Sequence, residues 1–267
     1  MTPDRPRLLL VPEFTELAWG IRDELAEWAD VASYDPPGVG GEPLAEDDVD
    51  AVGSGERSIH DVFARRGLEE VDRRGWDGFY VVADAWGNAA AARIAIDRPG
   101  AVHGVALGHA SLTFEMDGER PAVSREVWAA MRQFLRQDHR EFIRHGIVQM
   151  TRGSVSDELA GAMVDRFPDG KFVELVWESL GREPEDVGAK LKEYGGPLLL
   201  AQHVGCLSFT DEGFRDVVAA FPDATVLRTE QAPTITPEFE AALREFCLKP
   251  ASAGPSAPPP RRSAGRS

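Results

Sequence analysis

Six short apolar runs punctuate the chain, at residues 8–11, 31–34, 79–83, 102–108, 197–203 and 225–227. They are rich in Val, Leu and Ala and too short to be helices, so they are expected to be buried strands. Between most of them the apolar residues recur at spacings of three and four, predicting helices over 16–28, 59–74, 86–97, 211–220 and 237–248. Strands alternating with helices of crossover length imply parallel pairing and a sheet covered on both faces, an α/β fold.

The rhythm breaks between residues 110 and 196, where no convincing buried strand occurs and several amphipathic helices do. Within 123–150, Val127, Trp128, Met131, Phe134, Leu135, Phe142, Ile143 and Ile147 mark one buried face of a long helix. This stripe either packs on the sheet or also lines a ligand cavity. The expected organisation is therefore a sheet domain (1–109 and 197–248), a helical insertion (110–196) and a disordered tail (249–267), whose Pro, Ser, Ala and Gly offer no apolar face.

Composition narrows the function classes. The 267 residues carry 29 basic and 45 acidic side chains, a net charge of −16, and the basic tail leaves about −20 on the rest. Such a surface repels phosphate backbones and anionic bilayers, so neither nucleic acid nor membrane is an expected partner. Cys206 and Cys247 lack metal-ligand spacing and read as ordinary thiols of a reducing compartment. No apolar run approaches a membrane span, and the run at 8–11, stopped by Pro12, is too short for a signal peptide. A soluble cytoplasmic protein is expected, its oligomeric state open, with a homodimer as one arrangement.

Three motifs in order make the chain resemble the α/β-hydrolase superfamily over most of its length. The first is Leu8-Leu-Leu-Val-Pro-Glu-Phe14 with Trp19, followed by Tyr34-Asp-Pro-Pro-Gly-Val-Gly40. These are similar to the family's strand, oxyanion loop and turn. The second, Val81-Val-Ala-Asp-Ala-Trp-Gly-Asn88 followed by an alanine-rich helix, resembles the nucleophile elbow. The third joins Pro197-Leu-Leu-Leu-Ala201, Phe221 to Leu227 and Pro237 to Phe246, like the last two strands and the closing helix. The resemblance implies a mostly parallel sheet, here of six strands because the first two of many members are missing, with a helical cap at 110–196.

Departures from the pattern decide the expected chemistry. Ala83 and Gly87 are the small residues an elbow needs, yet Ala85 stands where the nucleophile would, and no Ser or Cys lies between Ser58 and Ser111. The family's base would fall in 229–234, but no His follows His203; its acid would fall in 204–208, which holds no carboxylate. Glu13 replaces the usual glycine of the oxyanion loop and would repel a developing oxyanion if it pointed inward. On the resemblance, the triad is degenerate and serine hydrolysis is not expected.

Four titratable residues remain at expected carboxyl ends of strands, where open α/β sheets bind ligands. Glu13 and Asp84 are candidate acids or bases and His109 their partner; His203, Phe14, Ala85, Trp86 and Trp128 are candidate substrate contacts. The alternatives are a solvated loop for Glu13, a helix cap for Asp84 and satisfied boundary imidazoles for the histidines. His139 and His145, six apart, do not share a helix face for a metal. Glu46, Asp47, Asp48 and Asp50 read as a solvated acidic loop, and the glycines at 38–41 lack phosphate-loop spacing. No metal and no cofactor are expected. Three functions remain: a cyclase, lyase or isomerase acting on a small hydrophobic molecule, a non-catalytic binding module, or residual ester or epoxide hydrolysis through Asp84 or water.

Overall fold

The structure is a computed structural model and describes residues 5–12, 15–19, 22–114, 125–150, 155–167, 169–180, 185–204, 210–230 and 236–248. Strands β1 (Arg7–Val11), β2 (Asp30–Ser33), β3 (Phe79–Asp84) and β4 (Val102–Gly108) come first. Two-residue strands β5 (Thr113–Phe114) and β6 (Glu185–Asp186) follow, then β7 (Leu198–His203) and β8 (Thr225–Thr229). Six of these form one sheet in the order β2-β1-β3-β4-β7-β8, every neighbouring pair parallel. β5 and β6 pair antiparallel at the base of the insertion between β4 and β7 and tie its entry to its exit.

Alternation along the strands divides the core in two. Leu9, Val11, Val81, Ala83, Val105, Leu107 and Leu200 face α3 (Ile59–Arg74), α4 (Gly87–Asp97), α9 (Val187–Tyr194) and α10 (Asp211–Ala220). Leu8, Leu10, Val82, Ala106, Leu199 and Ala201 face α1 (Arg22–Trp28) and α11 (Pro237–Leu248). Both faces are buried, which is why the central strands read as continuous apolar runs. Among the described residues no helix is long and apolar enough to cross a membrane.

The helical cap, formed by α5 (Arg125–Gln137), α6 (His139–Met150), α7 (Asp157–Asp165) and α8 (Gly170–Leu180), has its own core of Leu135, Ile143, Ile147, Ala160, Met163, Val164 and Phe167. Val39, from the turn after β2, is buried in that core. Beside it Asp35 accepts hydrogen bonds from the Thr15 hydroxyl (2.6 Å) and the Glu16 N–H (2.9 Å) and pairs with Arg166 of the cap. The Arg166 carbonyl in turn accepts the Gly40 N–H at 2.7 Å. A side chain at Gly40 would collide with Asp35 and Arg166, so glycine here serves cap docking.

Three sequence expectations need correction. The helix over 16–28 is a 3-10 turn (Glu16–Ala18) followed by α1, because Trp19 leaves helical geometry with ψ 71° after bonding back to Glu16. The long helix over 123–150 is two helices, since the Asp138 carboxylate accepts the Glu141 N–H (3.0 Å) and starts α6; Phe134 is 37% exposed. The acidic run is not a solvated loop: Glu46, Asp47, Asp48 and Asp50 lie in α2 (Glu46–Ser54), and buried Asp48 is held by Arg57 and Arg65. Acidic residues in a first turn favour the helix through its dipole.

Glu70, buried on α3, accepts two hydrogen bonds from Arg73 (2.9 and 2.6 Å) and one from Arg74 (2.8 Å). These bonds, Arg73 first, pull its pKa down from 4.5 to about 2. Its stabilising contribution is complete above 4.5 and is lost as pH falls toward 2. Glu70→Gln is expected to lower stability at neutral pH and to flatten the loss between those values, measured by urea unfolding across the range. Wild type and variant falling in parallel would show that Glu70 does not contribute.

Candidate active site

The site is built where β3, β4 and β7 end side by side. β3 passes into α4 through a turn with Ala85 at its apex, held at φ 44°. For a residue with a side chain this left-handed conformation costs about 1–2 kcal/mol and persists only where the surroundings impose it. Here the Ala85 N–H donates to the Gly108 carbonyl (3.0 Å), and the Ala85 carbonyl accepts from the Asn88 N–H (3.1 Å). Gly87 lets α4 approach β1 so closely that a Cβ there would lie 2.8 Å from the Val11 carbonyl and 3.0 Å from that of Pro12.

Beside the turn, three polar side chains form a chain of hydrogen bonds. His109 Nδ1 lies 2.7 Å from Asp84 Oδ1, and His109 Nε2 lies 2.6 Å from His203 Nδ1. The two rings meet edge to face, with centroids 4.6 Å apart and planes at 89°. His109 and His203 are 4% and 1% exposed. Parallel register brings them together, since Asp84 pairs with Gly108 and Gly108 with Ala201. His109 itself takes φ 47°, its N–H donating to the Ala201 carbonyl at 2.8 Å.

The carboxylate fixes the tautomers. Ionised Asp84 can only accept, so His109 carries its proton on Nδ1 and Nε2 is an acceptor. His203 must then donate from Nδ1, leaving its own Nε2 bare. Both nitrogens of His109 are thus engaged by protein partners.

Asp84, His109 and His203 are thus joined directly. The N-cap position of α4 is Trp86, which makes no side-chain cap bond. Ala85 and Trp86 form the adjoining turn, and Trp86 packs against both the sheet core and the cap core. Glu13 and Phe14 lie outside the described residues, as does the side chain of Trp128, whose backbone belongs to α5. His139 opens α6, and His145 packs edge-on to Phe134. Gly38 lies in the cap-docking turn, where a side chain would strike Phe172. Asn88 carries no role in the sequence pattern beyond closing the elbow motif, yet it is fully buried and its amide donates to the Gly108 (2.8 Å) and His109 (3.3 Å) carbonyls. A lone amide ahead of four buried alanines was the available signal.

A cleft of about 1320 Å³ opens at the other end of the sheet, among Arg7, Asp30, Phe79, His103 and Cys247. It sits at the amino ends of the strands, away from the joined side chains. Burial pushes the Cys247 thiol up to about 12, which makes it inert near neutrality.

This architecture is the α/β-hydrolase fold, and solved structures agree along nearly the whole chain. A hydrolase from Oleispira antarctica superposes with a TM-score of 0.75 at 15% identity, 92% of each chain being covered. The enol-lactonase from Burkholderia xenovorans LB400 gives 0.70 at 13% identity over 91% of each chain. A bromoperoxidase from Bacillus anthracis gives 0.74 at 15% over 91% of each chain. No protein-family model matches the sequence, and no curated protein does. At these identities the likeness establishes the fold.

Gly87→Ala is expected to destabilise the protein by about 2 kcal/mol, because the new methyl meets backbone that cannot yield. Ala85→Gly, which releases the left-handed strain, is expected to leave stability unchanged or raise it by up to about 1 kcal/mol. Thermal unfolding of both variants checks the pair, and a reversed order would refute the turn geometry.

Proposed function

We propose that the chain is a cofactor-free, non-hydrolytic enzyme, a cyclase, lyase or isomerase, acting by proton transfer on a hydrophobic small molecule beneath the cap. The observation that carries this reading is the hydrogen-bonded chain Asp84–His109–His203 beside a turn whose apex is a methyl group. His203 Nε2 is the base in this scheme. On taking a proton from substrate carbon, His203 becomes imidazolium, and its charge is stabilised through His109 by Asp84. Returning the proton elsewhere on the same molecule completes a rearrangement or elimination, and no co-reactant is consumed.

Ala85 cannot form an acyl intermediate, which separates this reading from the hydrolytic names among the structural neighbours. On this reading the triad is degenerate, and the substrate lies between the strand ends, Trp86 and the cap over 110–196. The near-complete burial of both imidazoles favours one further reading, a binding module that returns its ligand unchanged.

The test uses 5-nitrobenzisoxazole, a flat apolar molecule whose ring opens when a base removes one carbon-bound proton. Wild type is expected to accelerate ring opening by about 10²-fold or more over buffer, the range of a positioned general base, and His203→Ala to lose at least about tenfold of it. p-Nitrophenyl butyrate is expected to hydrolyse at the buffer rate. No acceleration of ring opening, or an unchanged rate in His203→Ala, would reject the proposal. Ester hydrolysis well above buffer would instead support residual hydrolase activity.

A further inference from the structure

We propose that Asn88 is the positioning residue of the Asp84–His109–His203 chain, holding His109 in the left-handed conformation that aims its ring at both partners. Among the described residues, Ala85 and His109 are the non-glycine residues at positive φ, and Asn88 binds to both. Its N–H donates to the Ala85 carbonyl (3.1 Å), while its side-chain amide donates to the carbonyls of Gly108 (2.8 Å) and His109 (3.3 Å). The peptide groups on both sides of His109 are therefore held by one fully buried side chain. The role rests on the proton-transfer reading for its purpose, but its geometry stands apart from it.

Two carbonyl acceptors fix the orientation of the Asn88 amide, since turning it over would set its oxygen against two other oxygens. Among the described residues the Asn88 oxygen has no hydrogen-bond partner. An amide whose acceptor side is left unbonded so that both donors face one strained segment serves that segment rather than the helix. Without those donors the His109 segment keeps the bonds from its N–H to Ala201 and from the Ala85 N–H to Gly108 but loses the hold on its own carbonyl, so φ 47° is less well imposed and the ring that bridges Asp84 and His203 is less well aimed. Asn88 does not meet the substrate in this scheme; it acts through His109.

The experiment follows the ring N–H proton shared by His109 and Asp84, by NMR of histidine-labelled protein. Wild type is expected to show a downfield, slowly exchanging resonance. Asn88→Ala and Asn88→Ser are expected to lose it or to speed its exchange with water by about tenfold or more, the effect of a removed hydrogen bond. Ile94→Val, on the same helix and equally buried, is expected to lower the melting temperature while keeping the resonance. Folded Asn88 variants with an unchanged resonance would overturn the proposal. So would failure of both to fold while Ile94→Val folds, which would make Asn88 a support of the whole domain. A wild type that shows the resonance but does not open 5-nitrobenzisoxazole would sink the proton-transfer reading and leave the positioning role standing.

Discussion

Everything at the site depends on how closely α4 can approach the end of β1. Gly87 sits against the carbonyls of Val11 and Pro12 with no room for a methyl group. That contact sets the entry of α4, and the chain must therefore turn within Ala85 and Trp86 after β3. Ala85 makes that turn in the left-handed region, and its N–H reaches the Gly108 carbonyl at the end of β4. At that strand end His109 takes a similar conformation and its ring lies between Asp84 and His203. One close packing contact thus organises the ends of three adjacent strands.

The cap is held to this platform by different forces. Its helices bury their own apolar core, and Val39 joins that core from the sheet side. Apolar packing is non-directional, so it does not by itself fix how the cap sits. Direction comes from Arg166, which reaches Asp35 while its carbonyl takes the Gly40 N–H. Asp35 is also bonded by Thr15 and the Glu16 N–H, so this carboxylate joins the segment after β1, the turn after β2 and the cap. Trp86 and Phe172 pack against both cores and close the boundary.

How much of this was legible follows from how local each determinant is. Apolar runs gave the six strands nearly to their ends, because strands buried on both faces leave an unmixed signal. The break after Gln137 was missed because it rests on one capping carboxylate, Asp138, inside an otherwise continuous periodicity. Asp48 was read as solvated because its partners, Arg57 and Arg65, lie on the next turn and helix, where periodicity does not look. At the site, Asp84, His109 and His203 could be nominated from their places at strand ends. Their order of bonding could not, since 25 and 94 residues separate the bonded pairs and only parallel register closes those distances. Asn88 escaped a role because it acts on backbone carbonyls, which carry no mark in sequence.

Energetics gives a reason to look for proton transfer here rather than for a structural device. Burying a carboxylate and two imidazoles forfeits their hydration, and the hydrogen bonds between them return little more than was lost. Replacing buried polar pairs by apolar side chains of similar volume is often neutral or stabilising. Stability therefore does not account for the arrangement. On the proposed proton-transfer reading the arrangement has a purpose: a base whose protonated form is stabilised by a second imidazole and a fixed carboxylate gains from the same bonds when charge arrives on it.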